Sequence, residues 1–315
     1  MSDSFLEEAL FGSNVFGGAR LGPNNGPLAD RFTISPFSIL DTRNRTWLRR
    51  KRAWLALGIE GEVSREKTLR TSTVMEGKRS EYSGGSIWQG DTASVFDPVL
   101  CECMYKWFSP ELGQVIDPFA GGAVRGVVAG MMKRNYWGCD LRKEQIDANG
   151  EQSTKIQPLI KPVWVLGDAI NSLPNAPEAD FIFSCPPYGN LEVYSKDPLD
   201  LSTMSHDDFL TNYKQIIQLS CARLKQDRFA CFVVGDFRDK HGFYRDFVST
   251  TISNFYDSGL ELYNEAILIN SVGSACMRIT KQFEAGRKLA KLHQNVLVFC
   301  KGDGKKATKF ITGAK

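Results

Sequence analysis

The chain has 315 residues, with 39 Lys and Arg against 36 Asp and Glu, a net charge of +3. That length allows one large domain or two small ones around a sizeable core. The slight positive excess permits a nucleic-acid partner without demanding one. No apolar run reaches the length of a membrane span. Met1-Ser2-Asp3-Ser4 lacks the basic and apolar blocks of a secretory leader, so a cytoplasmic protein is expected. The 8 cysteines are scattered without a CxxC pair and the 3 histidines are isolated, which predicts a reduced, metal-free chain.

Residues 1–35 are rich in Gly, Asn and Pro and read as a flexible arm. A basic extension over 36–93 opens with a candidate ordered segment at Pro36–Leu40. Within it, Arg43, Arg45, Arg49, Arg50, Lys51 and Arg52 are interleaved with Trp47 and Trp54. The two tryptophans lie seven apart and would share one helix face. Two readings stand. The segment is a solvated helix pinned to the body by its indoles, or Arg49, Arg50, Lys51 and Arg52 meet the phosphates of a nucleic acid. Residues 61–90 are polar, with Gly84-Gly85, and read as a loop or linker.

From Ser94 the pattern becomes regular. A helix over Val99–Trp107 precedes a buried strand, Gln114-Val115-Ile116, which ends at Asp117. The turn Pro118-Phe119-Ala120-Gly121-Gly122 leads into a helix from Ala123 to Lys133. Strands follow at Tyr136–Asp140, Pro162–Asp168 and Phe181–Phe183, with a helix over Arg142–Asn149 between the first two. Asp208–Leu224 and Tyr244–Phe255 read as helices, and Phe229–Val234, Leu260–Asn270 and Asn295–Cys300 as strands. Such alternation predicts an α/β domain over 94–303 with a doubly wound, mostly parallel sheet covered on both faces. Ligands of such sheets bind beyond the carboxyl ends of the strands, where Asp117, Asp140, Asp168 and the Ser184–Tyr188 loop all fall. Any one of these acids, taken singly, could be a helix N-cap at a strand-to-helix turn.

Two motifs together carry a resemblance. Asp117-Pro118-Phe119-Ala120-Gly121-Gly122 and Cys185-Pro186-Pro187-Tyr188 are similar to the cofactor and catalytic loops of S-adenosylmethionine-dependent DNA amino-methyltransferases. Phe96-Asp97-Pro98 resembles the segment ahead of the cofactor loop, and the run from His293 to Gly302 the final strand. The order, cofactor half before catalytic half, also resembles methylases carried by bacteriophages. The resemblance implies a Rossmann-like methyltransferase fold that binds S-adenosylmethionine and acts on DNA, and the composition adds no metal and no membrane. It implies that Asp117 and the backbone of Phe119–Gly122 hold the methionine end, with Phe96, Pro98, Pro118 and Ala120 around it. Asp140, beside Leu141, would bind the ribose hydroxyls, and Asp168 with Ala169 the adenine.

The Ser184–Tyr188 loop has physics of its own. Pro186 and Pro187 fix the backbone and present carbonyls without competing amide donors. Those carbonyls can accept from an exocyclic amine, and Tyr188 either offers a face for an extruded base or is a core or rim aromatic. The family's leading Asp, Asn or Ser is Cys185 here, preceded by Ser184. A thiol accepts poorly, so the amine would rely on the Pro186 carbonyl and on Ser184. Cys185 could instead be the nucleophile of carbon-5 pyrimidine methylation. Methylation of RNA or of a protein glutamine is a further reading, since related Pro-Pro-Tyr loops serve those substrates. So is a DNA-binding module that has lost catalysis. For DNA contact, Glu192 and Tyr194 lie just past the loop. Arg278, Lys281, Arg287, Lys288 and Lys291 form a basic insertion at about 271–293, which reads as phosphate-contacting or as a solvated hairpin. Residues 304–315 read as a basic tail.

Overall fold

The computed structural model describes residues 27–60, 96–188, 197–239, 241–272 and 275–313. Helix α1 (Pro27–Phe32) and strand β1 (Ile39–Asp41) precede α2 (Arg45–Ala56) and α3 (Pro98–Phe108). Then come β2 (Gln114–Asp117), α4 (Val124–Met131), β3 (Asn135–Asp140), α5 (Lys143–Ile156), β4 (Val163–Leu166), the short α6 (Ala169–Ser172) and β5 (Ala179–Ser184). The chain continues with α7 (His206–Arg223), β6 (Leu224–Val234), α8 (Phe247–Asp257), β7 (Glu261–Ile269), α9 (Ala275–Gly286), β8 (His293–Lys301) and α10 (Gly304–Thr312).

These strands form one sheet of 8 in the order β1-β7-β8-β6-β5-β2-β3-β4. Strand β8 runs antiparallel to both β6 and β7, and the other pairings are parallel. Parallel strands covered on both faces should be apolar on both, with alternate residues entering opposite layers. Phe181 and Phe183 of β5 join one core cluster and Ile182 joins the other. Cys231 and Val233 of β6 separate in the same way from Phe232 and Val234. Helices α3 and α4 pack in the first cluster, and α7 and α8 in the second. From β2 the chain winds outward through β3 to β4, then returns to β5 on the other side of β2. The crevice beyond the carboxyl ends of β2 and β5 is therefore the switch point of a Rossmann-like sheet.

The basic extension is built into this body. β1 pairs with β7 from Ile39↔Ile267 to Asp41↔Ile269. Asn44 caps α2 by accepting from Thr46 N at 2.8 Å, and Trp47, Arg50 and Trp54 turn inward on one helix face. Both tryptophans are fully buried, as the pinned-helix reading expects. Arg50 is a correction. It is buried in an ion pair with Glu102 of α3, its Nε 3.0 Å from Oε2, and Trp54 Nε1 donates to the same oxygen at 2.9 Å. A guanidinium enclosed in this way cannot reach a phosphate. Lys51 is paired with Asp97 at 2.9 Å, Arg49 is half-buried and Arg52 is exposed.

Several element boundaries differ from the sequence expectation. Helix α5 continues past Asn149 to Ile156, an extension that no apolar period marks because its inward positions, among them Gln145, Asn149 and Gln152, are polar. Strand β6 starts at Leu224, paired with Ala179, well before Phe229. Tyr244 does not begin a helix but bridges to Arg238, and α8 starts at Phe247. The basic insertion holds helix α9 rather than a hairpin, and the basic tail is helix α10, capped by Asp303 and anchored by buried Ala307. Glu192, Tyr194, the side chain of Arg278, and residues 1–26 and 61–95 lie outside the described residues.

Candidate active site

The loop after β2 is organised by one buried ion pair. Arg125 of α4 places Nε 2.6 Å from Asp117 Oδ2, and its other arm donates to the carbonyls of Phe119 (2.5 Å) and Ala120 (3.0 Å). Burial opposes the Arg125 charge, but the Asp117 carboxylate outweighs it and holds the pKa above its ordinary value. Tyr136 OH donates to Asp117 Oδ2 at 2.7 Å, Ser184 Oγ to Oδ1 at 2.5 Å, and Phe119 N to Oδ1 at 3.2 Å. Burial, then the neighbouring carboxylate, raises the Tyr136 pKa, so it stays a phenol donor. Gly138 makes room for this network, because a Cβ there would meet Tyr136 OH at 2.7 Å and Ala120 Cβ at 2.9 Å.

These contacts correct two sequence assignments. Asp117 and Ser184 are both 0% exposed and are absent from the lining of the cleft. Two oxygens already accepting from four donors leave Asp117 no capacity for a ligand. Ser184 is enclosed behind the cleft lining, so its oxygen is not placed to accept from a substrate amine. Ala120 and Pro98 are likewise buried, Pro98 as the first residue of α3. These residues act by holding the loops.

The cleft at the switch point has a volume of about 670 Å³, within the usual range of ligand sites. On the β3–β4 side it is lined by Gly121, Gly122, Asp140, Leu141, Asp168 and Ala169, with Phe96, Pro118 and Phe119 alongside. Gly121 has φ +51°, a left-handed conformation that favours glycine. Its N donates to Asp140 Oδ2 at 3.1 Å, and its carbonyl accepts from Asn149 Nδ2 at 2.8 Å. Asp140 also accepts from Arg142 N at 2.8 Å, which aims its carboxylate at the cavity rim. Asp168 caps α6 through Asn171 N at 3.2 Å, so for this acid the cap reading is realised at a residue that also faces the cleft. Phe96 lies under the Arg125 guanidinium, 4.6 Å from its ring centroid.

On the β5 side the lining is Cys185, Pro186, Pro187 and Tyr188, followed by Gly235, Asp236 and Phe237 after β6, Lys291 just ahead of β8, and His293 and Gln294 at its start. Because β8 is antiparallel, its amino end arrives where the other strands have their carboxyl ends. Gln294 Nε2 donates to Tyr188 OH at 2.5 Å, and Phe247 meets the Tyr188 ring edge-on at 6.1 Å. Cys185 Sγ stands 4.0 Å from the same hydroxyl. Partial burial, then Lys291, lowers the His293 pKa and favours a neutral imidazole. Lys51 reaches the cleft from α2, while Arg287 is exposed and its guanidinium lies 5.1 Å from the Phe283 ring.

Sequence reasoning missed Arg125, Tyr136, Asn149 and Gln294. Arg125 had a signal: it is the one cation in the apolar, small-residue helix entered from the glycine turn. The others had none, since their partners lie 19 to 106 positions away.

Fold and site together define a doubly wound α/β protein with a small-molecule cleft at its switch point. No protein-family model and no curated protein matches the chain. Among solved structures it is similar to TrmN from Thermus thermophilus, with 14% identity over 65% of this chain and 49% of that one, at a TM-score of 0.44. It is also similar to a candidate RNA methyltransferase from Pyrococcus horikoshii (13% identity, 81% of this chain and 100% of that one, TM-score 0.48). A third is a precorrin-6y C5,15-methyltransferase from Geobacter metallireducens (13% identity, 65% and 87%, TM-score 0.42). The chain spans about half the length of the Thermus protein. These are distant likenesses, and the chemistry of the site rests on its own residues.

Proposed function

We propose that the chain is an S-adenosylmethionine-dependent methyltransferase acting on an exocyclic amino group of a DNA base, adenine N6 or cytosine N4. One observation carries this reading. A single cleft joins the Gly121 turn, Asp140 and Asp168 on one side of β2 to Cys185-Pro186-Pro187-Tyr188 on the other. The donor set suits a nucleoside with a charged tail. Asp140 can accept from paired hydroxyls, the Gly121–Gly122 backbone allows close approach, and Phe96 and Leu141 provide apolar walls.

When bound, the cofactor supplies an electrophilic methyl group, so the protein needs no strong base. Its task is positioning. The Pro186 carbonyl would accept a hydrogen bond from the amine and turn the nitrogen lone pair toward the methyl group, and the proton displaced on methylation would leave to solvent. Tyr188, held by Gln294 and Phe247, gives the extruded base a fixed face. With Ser184 turned to Asp117, the amine has one fewer acceptor than the sequence suggested.

Expression in a methylation-deficient host, followed by nucleoside mass spectrometry of digested DNA, tests the reading. N6-methyladenine or N4-methylcytosine supports it. 5-Methylcytosine would assign Cys185 a nucleophilic role instead, and unmodified DNA would reject both. Calorimetric titration with S-adenosylmethionine separates an enzyme from a binding module without catalysis.

A further inference from the structure

Beside the cleft mouth, the loop after β6 folds back into a braced turn. Asp239 N donates to Phe243 O at 2.8 Å and Gly242 N to Asp239 O at 3.0 Å. Asp239 Oδ1 accepts from His241 N and Phe243 N, both at 2.9 Å. The Asp239 carboxylate is thus turned onto its own backbone. Gly242, at φ +93°, lets the chain reverse. The turn is closed by the Arg238–Tyr244 bridge and by Arg245 N donating to Phe237 O at 3.0 Å.

Phe243, next to this bridge, is 73% exposed. Cations gather on its neighbours Tyr244 and Gly242. The Arg238 guanidinium lies 3.9 Å from the Tyr244 ring centroid, and Lys291 Nζ lies 5.6 Å from the same ring. Lys288 runs along Gly242 so closely that a Cβ there would collide with its Nζ. Lys291 also lines the cleft. Lys291 and Arg238 therefore connect the cleft to Tyr244, the chain neighbour of Phe243. Fixed aromatic faces among cations suit a nucleic-acid strand, whose bases stack while its phosphates meet Lys and Arg. A purely electrostatic contact would not need an exposed ring on a braced turn.

We infer that this turn, with Lys288 and Lys291, is a contact site for the strand flanking the target base. Phe243 stacks on a neighbouring base, and Arg238, Lys288 and Lys291 meet phosphates. The inference rests on the proposed nucleic-acid substrate.

The test is binding of the full chain to a labelled DNA duplex and to its single strand, by fluorescence anisotropy across a salt series. S-adenosylmethionine titration and DNA methylation are followed in parallel. Phe243→Ala should weaken oligonucleotide binding about tenfold with little change in salt dependence, and Phe243→Trp should retain it. Arg238→Ala or Lys288→Ala should lower the salt slope by about one unit each. All variants should bind S-adenosylmethionine like the parent. If the parent methylates DNA and all of these variants bind DNA as it does, the surface assignment is overturned while the function stands. A parent that binds S-adenosylmethionine but neither oligonucleotide defeats the nucleic-acid reading and this site with it. Phe243-dependent binding to phosphatidylserine vesicles, without binding to DNA, would overturn the site in favour of a membrane surface.

Discussion

Ser184 at the end of β5 donates its hydroxyl hydrogen to Asp117 at the end of β2, across 2.5 Å and 67 positions of sequence. This bond links the two loops that the proposed reaction must hold in register. Asp117 in turn holds Arg125, which grips the carbonyls of the cofactor-side loop. Removing the acid would strand a buried guanidinium. Asp117→Ala should cost about 3–5 kcal/mol of stability, read by chemical denaturation. Ser184→Ala removes one bond to a charged group and should cost about 1.5–3 kcal/mol. Calorimetry on Ser184→Ala should show S-adenosylmethionine affinity falling far less than the methylation rate, because its effect is on the relation between loops.

In the proposed reading Asp140 has the more direct role. It faces the cleft while accepting from Gly121 N. Asp140→Ala should raise the dissociation constant for S-adenosylmethionine by about 10- to 100-fold, the value of hydrogen bonds to a charged group. Denaturation should move much less than for Asp117→Ala. Equal loss of stability in the two variants would contradict this division of labour.

Cys185 separates the two chemistries. If the amine is methylated, the thiol needs only to be small, and Cys185→Ala should keep activity within about tenfold, since no interaction made only in the transition state is lost. Loss of all transfer, together with a covalent adduct to a 5-fluoropyrimidine substrate, would show nucleophilic catalysis.

Under the proposed reading, Tyr188 and Gln294 divide stacking from positioning. Tyr188→Ala removes the face on which a base rests and should lower kcat/KM about 10- to 100-fold, the usual value of base–aromatic stacking. Gln294→Leu and Tyr188→Phe break the same hydrogen bond. Each should cost about 0.5–1.5 kcal/mol in kcat/KM, and the double variant should cost little more than either one. Additive losses would refute the pairing.

Arg50 tests the sequence expectation of a phosphate contact. Arg50→Ala leaves Glu102 buried without its cation and should destabilise the fold by about 3–5 kcal/mol. In conditions where the variant is folded, the salt slope of DNA binding should match that of the parent. Arg52→Ala, at an exposed position, should leave stability within about 0.5 kcal/mol.

Legibility followed the range of the forces involved. Strand alternation, the glycine turn after β2 and the acids at the tips of β2 and β3 are local, and local propensity predicts them. So is the Trp47–Trp54 spacing, which puts both indoles on one helix face but leaves open what that face meets. Helix α5 and the first residues of β6 escaped because their buried or paired positions are polar, and polarity carries no period.

The sequence by itself determined that acids, glycines and a Pro-Pro-Tyr turn would gather beyond the carboxyl ends of a parallel sheet, since strand periodicity dictates where each segment stops. Only the tertiary structure decided which of them face the cleft. Asp117 and Asp140 look alike in sequence, each ending a strand ahead of a helix. Asp117 is enclosed because Arg125, Tyr136 and Ser184 converge on it from three different elements. Asp140 lies one strand further out and keeps its place at the cavity. Convergence of that kind is long-range packing, and no spacing along the chain encodes it.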